Sequence, residues 1–472
     1  GDGSDVFEGG AGSDIAEING GTGAEVFTLI ATADRVRLDR ITASPFSIDA
    51  GTIERFVVKL GGGDDSISAS GNIPAGFSIV VDGGAGNDSI GGSSGDDRVL
   101  GGDGDDVALM GAGDDTFVWS PGDDNDVLEG QAGSDTMLFN GANLAETITV
   151  GANGGRVAFL RNIANVVMDL DDTETIRFNA LGGADTITVN DLGGTDVTTI
   201  DINLAGSAGG GDGAVDTVIV NATQGDDVVV VSGNAGSVAI DRLSAAINLF
   251  DFEANVDRTV FNLLAGNDRL IWNPGDGSSV VEGGTGIDTM LFFGVNGSET
   301  VNIVANGERV MLQRDVATTV DLNDIEHFEF RALDGADSIN IGNLDGTDAT
   351  QIDIDLRGSS AGGDGAADTI IVNASNGDDV FGVAGDGGGI TVFGLQAAVN
   401  AFFFDGTDRL TLSAQGGNDV IDASGLQADG MRLTMNGGFG NDVFFGGAGA
   451  DSITGGDGDD VALMGAGDDT FV

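Results

Sequence analysis

At 472 residues, with Asp+Glu 77 against Lys+Arg 18, the chain carries a net charge of −59, which argues against nucleic acid or an anionic membrane surface as its partner. Cysteine is absent, so neither disulfides nor thiol chemistry enter, and there is no run of about 18 apolar residues to insert in a membrane. Acidic disorder is the usual alternative at such a charge, but 40% hydrophobic residues, 25 Phe and 83 regularly spaced Gly point to a folded chain that needs cations.

The first element, GDGSDVFEGGAGSD (1–14), sets Asp5 and Asp14 nine residues apart, and Asp65 follows singly in GGGDDSI. Residues 83–118 repeat one frame as GGAGNDSIG, GSSGDDRVL, GGDGDDVAL and MGAGDDTFV, which carry Asp88, Asp97, Asp106 and Asp115. Asp126 and Asp135 continue the nine-residue beat in DDNDVLEGQAGSD. Beyond them, TITVN (186–190), TIDINLAG (199–206), TVIVN (217–221) and VVVVSG (228–233) alternate apolar and polar residues, the period of a half-buried strand. Single frames place Asp185 in LGGADTI, Asp268 in LAGNDRL, Asp337 in LDGADSI and Asp419 in QGGNDVI. Asp288 lies in GGTGID, but Ser279 stands nine residues before it where the matching stretch upstream has Asp126, so one site there is weakened or lost. Residues 437–472 restate the run as GGFGNDVFF, GGAGADSIT, GGDGDDVAL and MGAGDDTFV, with Asp442, Asp451, Asp460 and Asp469.

Each nonapeptide divides into a six-residue loop, GGxGxD, and a three-residue strand. The glycines permit positive φ, so the loop can curl its carbonyl oxygens toward one centre. The aspartate adds a charged oxygen, and a set of hard oxygen ligands selects Ca²⁺. The middle strand residues (Ile90, Val99, Ala108, Phe117, Phe444, Ile453, Ala462, Phe471) turn inward to a thin core. A solvated glycine turn explains an isolated copy equally well; four copies in register, twice over, favour metal sites.

A longer period overlies the short one. Residues 101–118 and 455–472 are identical, and GDGAVDTVIVNATQGDD (211–227) recurs as GDGAADTIIVNASNGDD (363–379). The modules are therefore 1–118, 119–271 and 272–436, with 437–472 the truncated start of further repeats. Residues 1 and 472 both fall inside a repeat, so the chain is read as a window on a longer tandem array. No helical period appears. The expected fold is all-β: a right-handed parallel β-solenoid, with β-roll segments alternating with longer β-helical coils. Coils of about 18–22 residues, stacked at about 4.8 Å, would form an elongated rod.

Catalysis is not expected. His327 is the only histidine, Lys59 the only lysine, and tyrosine is missing, which leaves few acid–base groups. Phe117, Phe139, Phe178, Phe250, Phe252, Phe261 and Phe292 are expected to stack inside rather than form a sugar-binding strip. Trp119 and Trp272 occupy equivalent turns, as contact points or as packing.

The G-G-x-G-x-D-x-U-x windows resemble the RTX-type (hemolysin-type) calcium-binding repeats of bacteria, most sharply at 1–18, 83–139 and 437–472. The resemblance implies two nonapeptides per coil and a calcium ion shared between repeats two apart. That pairs Asp88 with Asp106, Asp97 with Asp115, Asp442 with Asp460, and Asp451 with Asp469, among roughly 15–20 ions in all. It further implies type I secretion, disorder at low cytosolic calcium, and folding outside the cell or at its surface. The expected role is structural, as the stalk of a giant adhesin or a matrix or surface fibre. The alternative is the calcium-binding secretion and folding module of a secreted enzyme or toxin. Its expected partners are calcium ions and further copies of itself, end to end or side by side.

Overall fold

The computed structural model describes residues 3–32, 35–42, 44–70, 76–234, 236–273, 275, 277–315, 318–358, 362–428 and 430–472. Among them every regular element is a strand, and no helix long and apolar enough to cross a membrane occurs. The chain divides into two compact units, 1–220 with 236–257, and 221–235 with 258–472.

In the first unit, successive nonapeptides alternate between two facing parallel sheets. Ser89–Gly91 pairs with Val107–Leu109 and then Val127–Glu129 in one sheet. Arg98–Asp103 pairs with Thr116–Trp119 and then Thr136–Asn140 in the other. Register places Ile90 over Ala108 over Leu128, and Val99 over Phe117 over Met137, each at most 1% exposed. Each larger side chain so buried contributes about 1.5–3 kcal/mol relative to exposure. The second unit repeats the scheme, with Phe444 on Ile421 and Ile453 on Met435, all buried. In its last coil Ala462 is half-buried and Phe471 is 45% exposed.

The loops bring backbone against backbone. Gly102 has φ +98°, and a Cβ there would lie 2.2 Å from the Gly84 carbonyl oxygen of the preceding coil. Any side chain would therefore be strained and would push the coils apart.

Coil length departs from expectation between the nonapeptide runs. Stacked aspartates are 18, 20 or 23 residues apart in and beside those runs, but rungs spanning an insertion are 38–41 apart. Three such insertions are antiparallel meanders: Val26–Thr32 with Arg35–Arg40 and Phe46–Gly51, Thr147–Asn153 with Arg156–Arg161 and Val166–Asp171, and Thr300–Asn306 with Arg309–Arg314 and Thr318–Asn323. Their outer strands rejoin the parallel sheets, for example Val127 opposite Asp169 and Thr147 opposite Thr186. The hairpins Ser237–Asp241 with Ala246–Phe250, and Gly389–Phe393 with Ala398–Phe402, are likewise antiparallel.

The two tryptophans are packing. Trp119 and Trp272 are both 0% exposed, stacked on Phe139 (4.0 Å, 2°) and Phe292 (4.9 Å, 7°). Phe117, Phe139, Phe178, Phe252, Phe261 and Phe292 lie inside, but Phe250, expected there, is 41% exposed at the end of its strand.

Candidate metal centre

The loop aspartates form hydrogen-bonded ladders, always in one direction: the backbone N–H of one rung donates to the carboxylate of the rung on the next coil. In the first unit one ladder runs from Glu25 to Asp65, Asp88, Asp106 and Asp126, at 2.6, 2.8, 2.7 and 3.0 Å. A second runs Asp97, Asp115, Asp135, Glu174, at 2.7, 2.8 and 2.6 Å. Asp14 donates to Glu54 at 2.7 Å, and Glu146 leads to Asp185, Asp216 and Asp257. In the second unit Asp227 leads to Asp268, Asp288 and Glu326, and Glu299 to Asp337, Asp368 and Asp408. Asp379 leads to Asp419, Asp442 and Asp460, and Asp451 to Asp469. All four pairs anticipated from the nonapeptides are thus adjacent rungs. Asp5 alone stands apart, exposed at the head of strand Asp5–Glu8.

One oxygen of each rung is held; the other is what a metal would need. The Oδ2 atoms of Asp14, Asp65, Asp88, Asp106, Asp115, Asp126, Asp135, Asp185, Asp268, Asp288, Asp337, Asp419 and Asp442 are buried without a hydrogen-bond partner. A buried, unpaired carboxylate oxygen is costly unless a cation meets it. These oxygens, backed by glycine loops with no nitrogen or sulfur donor, fit a hard divalent ion such as Ca²⁺. Other rungs are satisfied internally: Asp97 Oδ2 and Asp451 Oδ2 accept the Ser93 and Gly447 amides. Asp460 and Asp469 are half-buried.

Burial without a counter-ion raises the rung carboxyls. It pushes Asp126 up to about 8 and Asp106 and Asp115 to about 7, opposed by the amide each accepts and reinforced by neighbouring carboxylates. Asp88, Asp97, Asp135, Asp268, Asp337 and Asp419 rise to about 6, and Asp185 to about 7, chiefly for the same reason. A carboxyl whose folded pKa exceeds its unfolded value binds more protons folded, so metal-free stability falls as pH rises between the two. In chelator, the β-sheet circular dichroism is therefore expected to strengthen as pH is lowered from about 8 to about 5, across the raised values. A signal indifferent to pH over that interval would contradict burial of these carboxyls.

At Ser279 the anticipated loss has a physical form. Its hydroxyl meets Thr259 Oγ1 at 2.8 Å, both residues buried, so a hydroxyl pair replaces two carboxylates. Asp288 keeps its place on the opposite ladder.

Several rungs escape a reading tied to GGxGxD: Asp216, Asp227, Asp257, Asp368, Asp379 and Asp408, and the glutamates 25, 54, 146, 174, 299 and 326. Each directly precedes a strand, so an acid before an alternating run is the signal that finds them. Two further acids enter the loops. The Gly86 and Gly440 amides donate to the Asp103 and Asp457 carbonyls of the next coil, whereas Gly183 and Gly335 donate to the Asp212 and Asp364 carboxylates. A separate group converges nearer the surface, half-buried Asp171 and Asp172 with exposed Asp196, and Asp171 is already paired to Arg156.

A family model of the RTX calcium-binding nonapeptide repeat matches four stretches, residues 1–27, 82–117, 122–143 and 436–471. These hold Asp5, Asp14, Asp88, Asp97, Asp106, Asp115, Asp126, Asp135, Asp442, Asp451, Asp460 and Asp469, while Asp65, Asp185, Asp268, Asp288, Asp337 and Asp419 lie outside them. No curated protein matches the chain.

Proposed function

The chain carries RTX calcium-binding nonapeptide repeats, which bind Ca²⁺ at many sites, and on that premise we propose that it is a structural element, a β-solenoid that folds on calcium outside the bacterial cell and serves as a segment of an adhesin stalk or surface fibre. The observation that supports this reading most is the run of amide-to-carboxylate rungs whose second oxygens are buried and unpartnered. Bound Ca²⁺ supplies the positive charge those oxygens lack. Asp88, Asp106 and Asp126 would hold ions between successive coils of one sheet, and Asp115 and Asp135 between those of the other, where the Ser93 amide already occupies Asp97 Oδ2. Binding free energy then becomes folding free energy, because an unfolded chain scatters these ligands.

A non-catalytic role is part of the proposal. His327, the sequence's one histidine, is held by Asp353 at 2.9 Å, and that hydrogen bond raises its pKa, which suits an ion pair rather than a free base. The near-identical long repeats favour a fibre over a bounded secretion module.

A calcium titration followed by circular dichroism and electron microscopy, with a chelator control, tests the reading. Calcium-induced β-structure that joins into filaments supports the fibre; folded single particles that never associate favour the secretion module; β-structure unchanged by chelation sinks both. Within the ladder, Asp106→Asn keeps an oxygen for the Asp88 amide but presents an NH₂ group or a neutral oxygen to the ion. At least one calcium fewer by native mass spectrometry, and a higher calcium midpoint, are expected.

A further inference from the structure

Three rungs end their loop frame in glutamate: Glu25 in GGTGAE, Glu146 in GANLAE and Glu299 in GVNGSE. Each is followed by the central strand of a meander, RVRLDR (35–40), RVAFLR (156–161) or RVMLQR (309–314). The last arginine of each strand returns to its glutamate. Arg40 ion-pairs with Glu25, Arg161 Nη2 lies 2.5 Å from Glu146 Oε1, and Arg314 Nε lies 4.0 Å from Glu299 Oε2. The arginine side chains are 14%, 4% and 13% exposed, and the glutamates 2%, 0% and 1%.

The guanidinium brings positive charge to a buried glutamate rung. Each glutamate amide donates to the next rung, Asp65, Asp185 or Asp337. The charge of Arg40 bears on Asp65 beyond Glu25, and Arg314 and Asp337 both bear on Glu299. Arg40 Nη2 would meet a Cβ on the loop residue Gly21 at 3.9 Å. An aromatic ring backs each guanidinium: Phe46 at 5.8 Å, Trp119 at 5.1 Å and Trp272 at 5.5 Å. Of the three following aspartates only Asp65 has an arginine among its charge neighbours; Asp185 and Asp337, like Asp88, Asp106 and Asp126, have none, so the arginines act on the glutamates.

We propose that Arg40, Arg161 and Arg314 determine which seats take calcium: each supplies at a buried glutamate rung the positive charge that an ion brings elsewhere, so those three glutamates take no ion and keep their arginine in calcium-free solution. This rests on the calcium-ladder reading above. A guanidinium stays protonated at any physiological pH and fixes a carboxylate in a planar fork, so it replaces a bound ion without depending on supply. The extra methylene of glutamate lets the carboxylate reach a loop amide, Gly21 or Ala142, while meeting the arginine. The meanders are then metal-independent islands between calcium-dependent runs.

Native mass spectrometry of the full chain in saturating calcium tests this by counting ions. Arg161→Gln is expected to bind one ion more than the wild type, the triple variant Arg40→Gln/Arg161→Gln/Arg314→Gln three more, and Arg161→Lys none. Hydrogen exchange of the wild type in chelator provides a measurement that does not depend on the variants folding. Amides of Arg156–Arg161 and Arg309–Arg314 should stay protected while those of Val107–Leu109 exchange freely. Equal exchange in the two sets, or an unchanged ion count in a folded Arg161→Gln, overturns the proposal. A wild type that binds no calcium would instead bring down the ladder reading itself.

Discussion

Chelating calcium from the folded chain is expected to abolish most of its β-sheet circular dichroism at neutral pH, reversibly on adding the ion back. A site held at a hundredfold excess over its Kd contributes about 2.7 kcal/mol to folding, so ten sites contribute about 27 kcal/mol. That exceeds the roughly 5–15 kcal/mol by which native proteins are usually stable. Without the ion, Asp65, Asp88, Asp106 and Asp126 stack their unpartnered oxygens along one column, and the chain as a whole retains a charge of −59. The comparison is a spectrum in calcium against one in excess chelator. A β-signal that persists undiminished would mean that the coils stand on their apolar columns alone.

Trp119→Ala should cost about 3–5 kcal/mol even in saturating calcium, as for other large buried aromatics. Trp119 is fully buried, stacks flat on Phe139, and backs Arg161. Its Nε1 donates to the Asp124 carbonyl at 2.9 Å, whereas Trp272 Nε1, in the equivalent place, is buried without a partner. Trp→Phe at the two positions should therefore differ. At 119 it strands an acceptor, while at 272 it removes an unsatisfied donor, a gap of about 1–3 kcal/mol. Thermal melts of the two variants in the same calcium buffer read this directly. Equal losses would show that the indole hydrogen bond carries no weight.

What could be read from the sequence was whatever the nine-residue frame dictates. The inward column through Ile90 and Ala108 follows from the three-residue strands of the frame, whereas two nonapeptides per coil and the adjacency of Asp88 and Asp106 came from the resemblance to RTX repeats. Strand direction was not legible, because alternation of period two is the same in parallel and antiparallel strands. The clue lay in the turns. Gly154 and Gly307, with φ +72° and +71°, open two-residue loops between paired Asn153–Arg156 and Asn306–Arg309, the arrangement of a tight hairpin. The glutamate rungs were hidden for a different reason. A frame defined by aspartate does not register that one more methylene leaves room for an arginine, and the partners Arg40, Arg161 and Arg314 lie 15 residues downstream of their glutamates. Phe250 turned outward because period-two alternation puts it on the outer face with Ala246 and Asn248, while Ile247 and Leu249 face in.

The ladder bonds also give the stack a polarity. Each rung within a ladder offers its amide forward and receives an amide from behind, as Asp106 does between Asp88 and Asp126. A coil with nothing behind it has a carboxylate lacking its donor, and a coil with nothing ahead has an amide lacking its acceptor. These two faces complement each other, but neither complements itself. For two copies meeting coil on coil, these bonds would favour a head-to-tail contact, whereas a head-to-head encounter would oppose carboxylate to carboxylate. An assembly built on such a contact would have two chemically different ends, so that one could be blocked while the other stayed open.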